Sequence, residues 1–158
     1  MNKKHKIFVV DDDPPMNAML CTFIESQGFK DVSGFFSVEE MRPKLSKKDS
    51  VIIIQDFELP GINGLDCIKT IKPAYPASEF IFLSGQRSIQ VAIDAIKYGA
   101  FDYIIKDNFA KENVIIKIKN LLRIKELEKK RKITMILFAG LTIILLLALL
   151  ILLFTYRK

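Results

Sequence analysis

Short apolar runs alternate along the chain with stretches whose apolar residues recur every three or four positions. The runs fall at 7–10, 32–36, 51–54, 80–83 and 103–105. Several are apolar at every position, which predicts strands covered on both faces, as in a parallel sheet. Helices are expected near 14–28, 37–47, 64–72 and 87–98, and from 111 onward. Pro14 and Pro15 suit a helix start and Gly28 a helix end. Five βα repeats predict an α/β fold with a doubly wound five-stranded parallel sheet.

The pattern changes at residue 133. From there to 156 the sequence reads ITMILFAGLTIILLLALLILLFTY, without a charged residue. As a helix it is about 36 Å long, more than the roughly 30 Å of a bilayer's hydrocarbon core. A core helix of that length needs a polar face, and this one has none, so a transmembrane helix is expected. Gly140, with no small partner four residues on, makes a poor dimerisation motif. Six Lys and Arg residues lie in 123–132, whereas only Arg157 and Lys158 follow the span. The positive-inside rule then puts the N-terminal part in the cytoplasm, tethered by its tail.

Charge sharpens this division. The 158 residues carry a net +6, which as a bulk number suggests nucleic acid or an anionic surface as partner. Residues 1–116 are in fact net −2, residues 117–132 net +6, and the last two residues add +2. The globular part is not basic, so no nucleic-acid partner is expected. The basic collar is a topology determinant, a contact for anionic headgroups, or both. Cys21 and Cys67 lack metal or disulfide spacing and read as small buried residues. The expected organisation is a domain over 1–122, a basic helical linker over 123–132 and a membrane helix over 133–156.

Ligands of doubly wound sheets sit at the carboxyl ends of the strands. Here those ends carry Asp11, Asp12 and Asp13 after the first strand, Gln55 and Asp56 at the third, Ser84 and Gly85 at the fourth, and Lys106 at the fifth. Converging carboxylates repel unless a cation lies between them. Mg²⁺ suits a few carboxylates together with phosphate oxygens. A serine hydroxyl and a lysine would complete a cradle for a phosphoryl group. Neither GxxxxGK[ST] nor GxGxxG is present, so ordinary nucleotide binding has no support. Asp13, just before Pro14, is expected to cap the first helix.

Four segments in this order, IFVVDDD, VIIIQDFELPGINGLD, IFLSG and AIKYGAFDYIIKD, make residues 5–122 resemble the receiver domain of bacterial two-component response regulators, a CheY-like, flavodoxin-type fold. The resemblance implies that Asp56 is the phosphoacceptor. It implies Mg²⁺ held by Asp11, Asp12, Asp56 and the backbone carbonyl of Glu58, with Asp12 in direct contact and Asp11 through water. Ser84 would hydrogen-bond a phosphoryl oxygen, Lys106 would pair with its charge, and Tyr103 would be the aromatic switch. Pro60 and Gly64 fit the turn that leaves the acceptor. The implied donor is a histidine kinase or phosphotransfer protein, and the implied output a change of affinity for a downstream protein. The chain is then no enzyme with a separate catalytic domain, but a phosphoacceptor that assists its own phosphotransfer.

One position departs from the family. Asp107 follows Lys106 where proline, often in a cis peptide, is usual; a cis non-proline bond costs about 3 kcal/mol, so this loop is expected to be trans. Asp107 is also placed to neutralise Lys106 in part. No helix-turn-helix or catalytic segment stands between the receiver-like part and the span. The expectation is a membrane-anchored single-domain response regulator of the bacterial inner membrane, with a homodimer left open. The alternative is a phosphorylation-independent membrane adaptor on the same fold. A small hydrolase is weaker, because no second general acid can be read.

Overall fold

The computed structural model describes residues 5–156, with backbone only at 149, 150, 153 and 154. Arg157 and Lys158, which enter the topology argument, lie outside the described residues. The chain divides between Lys119 and Asn120 into two compact units.

The first unit is built on five parallel strands, β1 (Lys6–Val10), β2 (Asp31–Phe35), β3 (Val51–Asp56), β6 (Glu79–Ser84) and β7 (Asp102–Ile105). Their order across the sheet is β2-β1-β3-β6-β7. The strands at 7–10, 51–54 and 80–83 are buried throughout, as unbroken apolar runs require. Helices α1 (Pro14–Ser26), α2 (Val38–Met41), α3 (Gly64–Ala74) and α4 (Ile89–Lys97) connect them, with the start of α5 (Ala110–Tyr156) after β7. Phe8, Val10, Ile53, Ile68, Phe80 and Phe82 belong to the core on one side of the sheet.

Two local departures have physical causes. The helix expected over 37–47 stops at Met41 and continues as a 3₁₀ turn, Arg42–Lys44. Pro43 has no N–H to give the helix ladder. Beyond Asp56 the chain makes a small antiparallel hairpin, β4 (Glu58–Leu59) with β5 (Ile62–Asn63). Gly61, with φ +83°, takes the left-handed position in its turn.

The register aligns Val10 with Gln55, Asp56 with Leu83, and Ser84 with Ile105. The polar strand ends are therefore level, along one edge of the sheet.

The second unit is helical to Tyr156. Its apolar side chains point outward: Ile136, Leu137 and Leu152 are each about two-thirds exposed. Among the described residues α5 is the one helix long and apolar enough to cross a membrane.

Candidate functional site at the carboxyl edge of the sheet

Asp11 is the residue at which β1 leaves the sheet, and it is almost fully buried. Its carboxylate is held at both oxygens: Oδ1 accepts the Asp13 N–H at 3.0 Å, and Oδ2 accepts the Lys106 ammonium at 3.0 Å. Its backbone carbonyl accepts the side-chain amide of Asn17 at 3.2 Å. Asp12 is exposed beside it. Asp13 occupies the N-cap position of α1, but its side chain makes no capping bond. It serves through its backbone, donating to Asp11 and accepting the Asn17 N–H at 2.9 Å.

Asp56 ends β3. Its Oδ1 accepts the Glu58 N–H at 3.1 Å, and its Oδ2 lies 2.6 Å from the Lys106 ammonium. The hairpin and α3 hold the chain beyond it in place. The Gly64 N–H donates to the Phe57 carbonyl at 2.8 Å. A Cβ on Gly64 would meet the Phe57 ring at 2.5 Å and the Phe82 ring at 2.9 Å. Glycine is required there because the helix start passes directly against two core rings.

Lys106 lies just past β7, its N–H bonded to the Ser84 carbonyl at 2.8 Å. No cis peptide occurs among the described residues, so the bond to Asp107 is trans. The Asp107 carboxylate accepts the Phe109 N–H at 2.8 Å, an Asx turn leading into α5. The groups that neutralise Lys106 are Asp11 and Asp56. Ser84 is buried, and its hydroxyl accepts the Gln86 N–H at 3.0 Å. The structure thus gathers Asp11, Asp12, Asp56 and Lys106, and sets Ser84 and Glu58 beside them by backbone.

The electrostatics stem from burial. Desolvation pushes the Asp11 carboxyl above the ordinary aspartate value, only partly offset by Lys106 and the Asp13 N–H. Burial alone would lower Lys106, but hydrogen bonds to Asp56 and Asp11 outweigh it and hold its pKa above the usual lysine value. Asp11 and Asp56 share one ammonium and Asp12 adds a third carboxylate beside them, a local charge of −2 that a divalent cation would cancel. One oxygen each of Asp11, Asp12 and Asp56 lie within 4.8 Å of one another. An all-oxygen, anionic and partly solvated set of this size fits Mg²⁺.

Tyr103, on β7, is half-buried, its ring 5.6 Å from that of Phe57 and its hydroxyl donating to the Gln86 carbonyl at 3.3 Å. It lines a groove of about 440 Å³ with Ile89, Ile93, Ile96 and Ile105. Sequence reasoning missed two residues. Gln86 donates to the Glu58 carboxylate across the mouth of the site, a pairing with no local sequence signal. Asn17 had a signal: it lies three and seven residues before Leu20 and Ile24 on the buried stripe of α1, where a polar residue needs a partner.

The description of the response regulator receiver domain family matches residues 7–119. The chain is 30% identical over 126 residues to a putative NtrX-like response regulator of Rickettsia felis, covering 78% of this chain and 26% of that protein. It is 33% identical over 118 residues to the nitrogen assimilation regulatory protein NtrX of Azorhizobium caulinodans, covering 71% and 25%. The chain spans about a quarter of the length of these curated relatives. Among solved structures it resembles a receiver domain protein from Clostridium thermocellum, with a TM-score of 0.69, 28% identity, and coverage of 78% of this chain and 98% of that one. It also resembles the beryllofluoride-activated NtrC4 receiver domain dimer, with a TM-score of 0.66, 28% identity, and coverage of 73% and 93%. With the family description matching most of its length and the acid–lysine cluster in place at the sheet edge, the chain belongs to the response regulator receiver domain family.

Proposed function

We propose that this chain is a membrane-anchored receiver that takes a phosphoryl group onto Asp56 from the phosphohistidine of a histidine kinase or phosphotransfer protein. It then signals by a phosphorylation-dependent contact with a downstream protein. The observation that carries this reading is the Lys106 ammonium bridging Asp11 at 3.0 Å and Asp56 at 2.6 Å, with Asp12 alongside.

In this reading an Asp56 carboxylate oxygen attacks phosphorus, the phosphorus–nitrogen bond of the donor breaks, and the imidazole leaves with the electron pair. Asp11, Asp12, Asp56 and the Glu58 carbonyl would hold Mg²⁺, whose chemistry when bound is to offset charge on the phosphoryl oxygens. Lys106 stays and pairs with the new phosphoryl charge. Ser84 turns its hydroxyl from the Gln86 N–H to a phosphoryl oxygen. That exchange loosens the Gln86 turn, to which Tyr103 is bonded, and biases the Tyr103 ring inward. The groove it lines, with Ile89 78% and Ile93 53% exposed, is the surface offered to the downstream protein or to a second receiver. The chain is then a phosphoacceptor, not a separate enzyme.

The uncharged helix over 133–156 is the anchor in the bacterial inner membrane, and the Lys/Arg excess before it keeps the receiver cytoplasmic. Lys129, Lys130, Arg131 and Lys132 are exposed and meet anionic headgroups, at about 1 kcal/mol per charge. The test is labelling of the full chain in detergent by a small phosphodonor with Mg²⁺. Label on the wild type, and none on Asp56→Asn or in chelator, supports the reading. An unlabelled wild type replaces it with the phosphorylation-independent adaptor.

A further inference from the structure

Asn17 touches no phosphoryl group in the proposed transfer, yet it is bound to the backbone from which the two acids project. Its side chain is buried at the first turn of α1. Nδ2 donates to the Asp11 carbonyl at 3.2 Å and to the Phe35 carbonyl at 2.7 Å, while the Asp11 N–H donates to that same Phe35 carbonyl at 3.1 Å. One amide therefore ties the carboxyl end of β1 to the carboxyl end of β2 at the residue where Asp11 and Asp12 leave the sheet. Oδ1 faces Cys21, whose thiol donates at 3.6 Å, and it faces Gly34 on β2. A Cβ on Gly34 would stand 2.2 Å from Oδ1 and 3.2 Å from Cγ. Gly34 thus keeps open the space in which the amide sits, and its φ lies outside the left-handed region, so alanine there displaces the amide through side-chain volume alone.

We infer that Asn17 is a positioning residue for the cation site, and that Gly34 sets its position. The inference rests on the reading of Asp11 and Asp12 as Mg²⁺ ligands. The amide fixes the peptide between the two acids, so that both carboxylates reach one point together with Asp56. Groups that orient metal ligands without touching the metal change affinity by roughly 10–100-fold when removed. Two substitutions perturb the tie from opposite sides. Asn17→Asp keeps the shape but replaces the donor with an acceptor facing two carbonyls. Gly34→Ala leaves every hydrogen-bonding group in place and pushes Oδ1 from the β2 side.

The experiment is calorimetric titration of Mg²⁺ into the full chain in detergent, at a temperature where circular dichroism shows each variant folded. Ile71→Val, a core change on α3 remote from the acids, controls for lost stability. Asp12→Asn controls for loss of a ligand. The expected result is a Kd for Mg²⁺ raised roughly tenfold or more in Asn17→Asp and Gly34→Ala, and unchanged in Ile71→Val. Gly34→Ala keeps the test open if Asn17→Asp does not fold. Wild-type affinity in the folded variants overturns the role of Asn17 while leaving the acid cluster as a cation site. A wild type that takes up no Mg²⁺, like Asp12→Asn, overturns the reading of the site itself, and the inference with it.

Discussion

The ammonium of Lys106 lies 2.6 Å from Oδ2 of Asp56, fifty residues earlier in the chain, and 3.0 Å from the buried Oδ2 of Asp11. Among the described residues it is the one cation bonded to these acids, so its removal has two separable consequences. In Lys106→Met, Asp11 and Asp56 face each other without a counter-charge. Breaking a fully buried pair costs about 3–5 kcal/mol; with Asp56 and Lys106 partly solvated, a loss of about 2 kcal/mol is expected. Excess Mg²⁺ should restore most of it, and Mg²⁺ should bind more tightly than to the wild type, because no ammonium competes. Phosphoryl uptake should nevertheless fall at least roughly tenfold, since the fixed charge at the transferred group is gone. Thermal melts with Mg²⁺ and with chelator, beside labelling by a phosphodonor, check this. An equal loss of Tm in both conditions contradicts it.

Gly64→Ala tests the wall behind Asp56. The added methyl would lie 2.5 Å from the Phe57 ring and 2.9 Å from the Phe82 ring. Those rings are packed edge-on at 5.5 Å, and Phe57 also touches Tyr103. Phe57 and Phe82 are both buried and cannot yield cheaply, so overpacking of about 1–3 kcal/mol is expected. Phe57 adjoins Asp56, so phosphoryl uptake should slow as well. A melt unchanged from wild type would show that the loop accommodates the methyl.

The sheet was legible because β1, β3 and β6 each carry four consecutive apolar residues, a pattern that few other arrangements satisfy. The acids and the lysine were legible because they lie at the ends of β1, β3 and β7, and strand ends of a parallel sheet align. The hairpin at Glu58–Asn63 was not, since two-residue strands leave no periodicity. Gly34 escaped for a different reason: its contact joins a strand to a helix face, and the residue is not unusual alone. Asn17 carried a signal as a polar residue on a buried stripe, but that signal does not name its partners on β1 and β2. The Ser84 hydroxyl accepts the Gln86 N–H, a partner that an isolated sequence position does not announce.

The proposed anchor has a direct test in paired charges. Arginine at the centre of a membrane helix costs roughly 3 kcal/mol by insertion scales. Leu141→Arg with Leu145→Arg, one turn apart on exposed positions of α5, should therefore cost about 6 kcal/mol. The wild type should stay with membranes through alkaline carbonate extraction, and the double variant should be released. A wild type released by carbonate removes the anchor from the functional reading without touching the phosphoacceptor site.

Cys67 gives a pH dependence whose sign is fixed by burial. Its thiol is fully buried on α3 and donates to the Gln55 side-chain oxygen at 3.2 Å. Desolvation raises its pKa from 9.0 to about 11. The unfolded chain releases this proton near pH 9 and the folded chain near 11, so between those values the folded state binds more protons. Stability is unaffected below about pH 9 and falls as pH rises through the window, by up to about 2–3 kcal/mol. Tyrosines and lysines titrate in the same range, so the measurement is the difference between wild type and Cys67→Ala melted from about pH 8 to about 10.5. The Ala variant should start less stable and lose Tm less steeply. A thiol reagent at about pH 8 should modify half-buried Cys21 well before Cys67. Parallel pH slopes for the two proteins would show that the thiol is reached by solvent and titrates unhindered.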